Sequence, residues 1–213
     1  MSFAAFRGVA LGVGLSILAS AGCNQGPTRI KPLAVDPAGS AQKAIETYDK
    51  DGDGAISGKE LDASPGLKAA IAEIDANRDK KLSKEEIEAR LQYWIDSKFG
   101  ISQTSVLVTL NGAPLPGATV KFVPEEFLGT AAAPAEGVTD DQGICSPSVG
   151  TDHMPAPGVG GLRLGFYRIE ITRDNKGKEM VPAKYNKKTE LGQEVASGAA
   201  NMRQGLLTFA LRR

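Results

Sequence analysis

From Ser40 to about Phe99 the chain mixes alanine, isoleucine and charged residues at helical spacing, and past Gly100 the texture changes. The runs VLVTL (106–110), ATVKFV (118–123), FYRIEIT (166–172) and LLTFAL (206–211) are β-branched or aromatic, and NG, PG, DQG and DNKG turns punctuate them. Within them Val106, Val108 and Leu110 alternate with Leu107 and Thr109, and Val120 and Phe122 with Thr119 and Lys121. Tyr167, Ile169 and Ile171 likewise alternate with Arg168, Glu170 and Thr172. One-sided strands of this kind belong in an antiparallel sandwich, and about seven short ones suit that architecture. The pattern therefore predicts a small helical domain over 40–99 and a β domain over 101–213. A Pro/Gly-rich polar stretch, 23–39, precedes them and reads as a flexible tether.

The helical part repeats itself. AIETYDKDGDGAISGKEL (44–61) aligns with AIAEIDANRDKKLSKEEI (70–87) at a constant offset of 26 residues. Tyr48 matches Ile74, Asp49 matches Asp75, and Asp51 and Asp53 match Asn77 and Asp79. Ile56 matches Leu82, Ser57 matches Ser83, and Glu60 matches Glu86. A chance polar turn would not repeat its apolar flanks in phase with its carboxylates. The spacing is that of a twelve-residue EF-hand loop, which wraps Ca²⁺ in hard oxygen ligands.

Loop one would ligate through Asp49, Asp51 and Asp53, the Ala55 carbonyl, Ser57 and a bidentate Glu60, with Gly54 at the sharp turn. Loop two would use Asp75, Asn77, Asp79, the Lys81 carbonyl, Ser83 and Glu86. It carries Lys80 where the turn wants glycine, and one ligand fewer is charged, so two calcium sites are expected with the second weaker. Ile56 and Leu82 are expected to pair across a short β-bridge. SPGL (64–67) should break the link between the loops into two short helices, leaving KEEIEARLQYWIDSKF as the long one with Ile87, Leu91, Trp94 and Ile95 on its apolar face. Gly100 is the expected helix stop.

VLVTLNGAPLPGATVKFVP (106–124) resembles the opening strands of the carboxypeptidase-regulatory-like, transthyretin-like β-sandwich of bacterial envelope lipoproteins. GVTDDQGI and LGFYRIEITRD resemble its next turn and strand, and VPAKYNKKTELGQEV and GLLTFAL its last strands. The resemblance implies a multidomain α + β chain, an EF-hand pair followed by an antiparallel Ig/transthyretin-like sandwich. Hydrolases of transthyretin-like type use several His and Arg residues and a signature C-terminus. This chain has one histidine, His153, in a Pro/Gly-rich loop, and ends LTFALRR, so no enzyme is expected.

Formal net charge is zero, with 25 basic and 25 acidic residues, so no basic field draws nucleic acid. Two cysteines and one histidine rule out Cys/His zinc clusters. Residues 1–22 read as a signal peptide, with Arg7 before the apolar run GVALGVGLSILASAG (8–22), which is short for a membrane span. Ala19-Ser20-Ala21 fits ordinary secretion with cleavage before Gly22. Ala21-Gly22-Cys23 resembles the end of a bacterial lipobox, with Ser20 where leucine is usual, and would make Cys23 the lipidated first residue. In a secreted chain Cys23 could instead pair with Cys145.

The expectation is a calcium-binding, lipid-anchored cell-envelope protein whose membrane contact is its N-terminal lipid and whose β-sandwich is a structural or interaction module for an envelope protein or glycan. The EF-hand pair would then be a calcium-set hinge or spacer between tether and sandwich. The alternative is a secreted or periplasmic soluble module that binds a glycan or protein ligand and is stabilised by calcium. Intact-mass measurement of the exported chain checks the anchor: a lipid-modified chain beginning at Cys23 is expected, and an unmodified chain beginning at Gly22 excludes it.

Overall fold

The computed structural model describes residues 34–154, 156–199 and 205–213, with Met1 and Met202 besides. The apolar run and Cys23 lie outside the described residues. Among the described residues no helix is long and apolar enough to cross a membrane.

Helix α1 (Pro37–Tyr48) starts three residues before the expected Ser40, because Asp36-Pro37 is a strong helix opening. The Asp36 carboxylate accepts the Gly39 amide at 3.2 Å, and Pro37 occupies the first turn, where its missing N–H costs nothing. Strand β1 (Ala55–Ser57) follows, then a 3₁₀ turn (Leu61–Ala63) and α2 (Pro65–Ile74). The link is thus broken at Ser64-Pro65, as the sequence predicts. Strand β2 (Lys81–Ser83) pairs antiparallel with β1, with Ile56 opposite Leu82 and both fully buried. Helix α3 (Lys84–Asp96) opens on a capping box in which Ser83 and Glu86 satisfy each other's amides. It ends before Gly100. The Ser97 hydroxyl donates to the Trp94 carbonyl at 2.6 Å, and Lys98, at φ +57°, makes the left-handed reversal.

The strands that follow are β3 (Ile101–Ser102), β4 (Ser105–Leu110), β5 (Ala113–Pro114), β6 (Thr119–Pro124), β7 (Ala135–Val138), β8 (Ile144–Cys145) and β9 (Ser148–Val149). The remainder are β10 (Leu162–Arg163), β11 (Gly165–Thr172), β12 (Asp174–Asn175), β13 (Lys178–Glu179), β14 (Gly192–Val195) and β15 (Leu206–Leu211). One sheet runs β14-β11-β6-β7-β9, all antiparallel. In the second, β4 carries β15 on one edge and β5 and β8 on the other. The β15–β4 pair is parallel, the single departure from antiparallel order among the described strands. Val120, Phe122, Ile169 and Ile171 from the first sheet and Val106, Val108, Leu207, Phe209 and Leu211 from the second are buried in one continuous core.

Only 192–195 of VPAKYNKKTELGQEV is strand. Pro182 has no N–H to offer a ladder, and the buried Asn186 amide bonds the Val181 carbonyl at 3.0 Å, curling the segment into a 3₁₀ turn over Ala183–Tyr185.

The helices are a third layer on the outside of the five-stranded sheet. Phe166 points the opposite way from Tyr167 and meets the Trp94 ring, centroids 4.5 Å apart. Phe127 then joins Phe166 to Tyr48, at 6.0 and 6.2 Å. Such offset and edge-on pairs add about 0.5–1.5 kcal/mol each beyond their area. Glu194, 2% exposed, accepts from Arg90 Nε at 2.7 Å, Arg90 Nη2 at 2.9 Å and Trp94 Nε1 at 2.8 Å. Glu125, also 2% exposed, accepts from the Tyr48 hydroxyl at 2.9 Å and the Gly66 amide at 2.8 Å. The helical layer is therefore not the expected hinge or spacer. It shares its core with the sandwich.

The closest approach of the layers is at Gly192, where an added Cβ would collide with the Pro65 carbonyl. No rotamer can relieve a backbone clash. Gly192→Ala is expected to destabilise the chain by about 2–3 kcal/mol, read as a lower urea midpoint at unchanged slope.

Candidate metal centre

Helix α1 delivers Asp49 at its C-cap, where the Asp49 amide still bonds the Ile45 carbonyl at 2.9 Å. The chain then folds around its own carboxylates. Asp49 Oδ1 accepts the Gly52 amide at 2.7 Å and Oδ2 the Gly54 amide at 2.9 Å. Asp51 accepts from the Asp53 amide at 3.2 Å, and Asp53 from the Ala55 amide at 3.0 Å. These bonds turn the three side chains inward, and their ligand oxygens lie within 4.8 Å of one another. Among the described residues no other three acidic, His or Cys side chains meet in this way. Gly52 at φ +75° and Gly54 at φ +87° take the two left-handed positions in the turn around the carboxylates, and Gly58 at φ +49° takes a third after β1.

Glu60 ties the ends of the loop together. Its Oε1 accepts the Lys50 amide at 2.6 Å and its Oε2 the Ser57 amide at 2.9 Å. The amides of Ser57 and Lys50 hold the Glu60 carboxyl below the usual range, and a Lys81 hydrogen bond followed by the Ala55 amide does the same for Asp53. Both therefore keep their charge into mildly acidic solution. Ala55 and Ser57 lie on β1. Ionised oxygens crowded this closely repel each other, and a hard divalent cation is the chemical partner that relieves the repulsion.

Loop two follows the same course with poorer parts. Asp75 accepts the Asp79 amide at 3.2 Å and the Lys80 amide at 2.9 Å, and Asp79 accepts the Lys81 amide at 2.8 Å. The Asn77 side-chain amide donates to Asp79 Oδ2 at 3.0 Å, occupying an oxygen that a cation would want. Glu86 Oε2 is taken by the Ser83 amide at 3.0 Å and hydroxyl at 2.8 Å, as expected of a helix cap. Arg78 at φ +64° and Lys80 at φ +66° fill the two left-handed positions. The sequence flags Lys80, but Arg78 goes unnoticed because position four of such loops tolerates many residues. Each non-glycine there costs on the order of 1 kcal/mol.

Three further residues escape sequence reasoning. The Lys81 side chain leaves its own loop and reaches Asp53 Oδ2 at 2.6 Å. Glu125, just after β6, and Glu194, within β14, look like solvated acids, and no local signal marks them as buried. Burial raises Glu125, against the opposing pull of the Gly66 amide and the Tyr48 hydroxyl. Burial, then the Glu125 charge, raises Tyr48 as well. Cys145 is buried on β8 and pushed up to about 11 by burial, then by Asp140, so its thiol stays protonated and inert at neutral pH.

An EF-hand family model matches residues 42–63, which span most of α1, all of loop one and the turn after it. No curated protein and no solved structure matches the chain. Residues 42–63 thus match an EF hand, and their acidic cluster points to calcium.

Glu60→Gln is expected to weaken the tightest calcium-binding event more than tenfold in calorimetric titration, whereas Glu86→Gln leaves it in place. Equal loss from the two substitutions would show that the strained turn and missing charge of loop two do not matter.

Proposed function

We propose that this chain is an exported, calcium-stabilised protein of the cell envelope, anchored through a lipid on Cys23. Its β-sandwich is a non-enzymatic structural or interaction module. Two calcium ions bind, the one in loop two more weakly. The observation that carries the calcium reading is the convergence of Asp49, Asp51 and Asp53 around a turn with glycine at both left-handed positions. The export and anchoring parts rest on the apolar run 8–22 and the Ala21-Gly22-Cys23 sequence.

The role is structural because the helix faces that a calcium sensor would open are already spent. Ile87, Leu91 and Trp94 are buried, and Trp94 is clamped between Phe166 and Glu194. Opening the pair would strip Glu194 of its partners, which costs several kcal/mol for a buried charge. The burial of Trp94 also removes the lone tryptophan from any glycan-stacking platform. Outside the cytoplasm, a site with affinity of about 10⁻⁴ M still fills.

Thermal melting of the mature protein in calcium and in chelator tests this reading. A site at a hundred times its dissociation constant adds about 2.7 kcal/mol, or roughly 5–10 °C for a chain of this size. Trp94 fluorescence, which reports the interface, and β-sheet circular dichroism should shift together in one transition. No shift with calcium refutes the calcium reading, and separate transitions refute the structural role.

A further inference from the structure

Loop two reaches into loop one, and loop one does not reach back. Lys81 stands on β2 directly across from Ser57 on β1. Its ammonium crosses the ribbon to Asp53 Oδ2 at 2.6 Å, with Asp51 of the same loop and Asp79 of its own also close enough to act on its charge. The twin of Lys81 in loop one is Ala55, whose methyl group carries no charge. Asp53 is one of the three converging carboxylates, and its other oxygen is already taken by the Ala55 amide at 3.0 Å.

We propose that Lys81 is a tethered cation that competes with calcium for loop one, setting its affinity and holding the loop together when calcium is scarce. The inference rests on the calcium reading of loop one. Without metal, three carboxylates crowd one turn, and the ammonium offsets part of their repulsion. When calcium enters, Asp53 exchanges the ammonium for the ion, and the freed Lys81 stays tethered beside a like charge. Both partners are partly exposed, so the ion pair itself is modest and the lysine can swing outward. The combined penalty is a matter of about three- to tenfold in affinity. Loop one, with the better ligand set, therefore binds calcium less tightly than its ligands alone would dictate. The polypeptide path of β2 does not depend on this side chain, so the Lys81 carbonyl stays where loop two needs it.

Calcium titration by calorimetry of the full mature chain in a Glu86→Gln background, where only loop one is intact, isolates the effect. Lys81→Met is expected to lower the dissociation constant about three- to tenfold and to lower the melting temperature in chelator. Lys81→Arg should stay near the parent. The gap between parent and Lys81→Met should narrow in 1 M KCl, where charges beyond about 3 Å are screened. Unchanged or weaker binding by Lys81→Met overturns the proposal while leaving the calcium reading intact. If the Glu86→Gln parent binds no calcium, matching an Asp51→Asn control, the calcium reading falls and this inference with it.

Discussion

Glu125 and Glu194 are sandwich residues buried under helices, and a carboxylate can be buried only where its lone pairs are met. An ionised group left unpaired in such a place costs several kcal/mol. Arg90 and Trp94 supply three bonds to Glu194, and Tyr48 and Gly66 supply two to Glu125. All of these donors belong to the three helices. The outer face of the five-stranded sheet therefore cannot be left bare, and the helices cannot swing away from it. What might have been two modules on a linker is one three-layered body.

The same two glutamates connect the metal loop to the sandwich. Tyr48 is the residue before Asp49, the first acidic residue of loop one, and Gly66 lies in the first turn of α2, beyond the 3₁₀ turn that follows the loop. Glu125 thus holds the segments that flank the loop from beneath. Arg90 lies on the helix that leaves loop two, so Glu194 anchors the second loop in the same manner. Bonds no longer than 2.9 Å tie both loops to the core beneath the sheet, so a cation held in loop one would stabilise that core and be stabilised by it. The arrangement favours a site that sets rigidity over one that signals by opening.

The two loops share a backbone course but differ in what each can hold. Loop one has glycine at both left-handed positions and three converging carboxylates, whereas loop two has Arg78 and Lys80 there and an amide bonded to a carboxylate. Lys81 makes the asymmetry mutual, since loop two lends its cation to loop one.

Much of this was legible along the chain. The acidic residues of loop one fall within twelve positions, so their spacing declares the Asp49, Asp51, Asp53 cluster, and the 26-residue repeat, its apolar phase and the break at Ser64-Pro65 place the helices and the Ile56–Leu82 bridge. Alternation marks β4, β6, β11 and β15, because a strand with one wet face must alternate. Asp36-Pro37 even announces the start of α1, although composition alone assigned those residues to a tether. The tertiary structure decided the rest: that Phe166, Glu125 and Glu194 face helices and not water, that β15 lies parallel to β4, and that Lys81 spends its charge on Asp53. Alternation says that a strand has two faces but not what covers the second one. The partners that answer this stand 59 to 104 positions apart, and only the folded chain brings them within bonding distance.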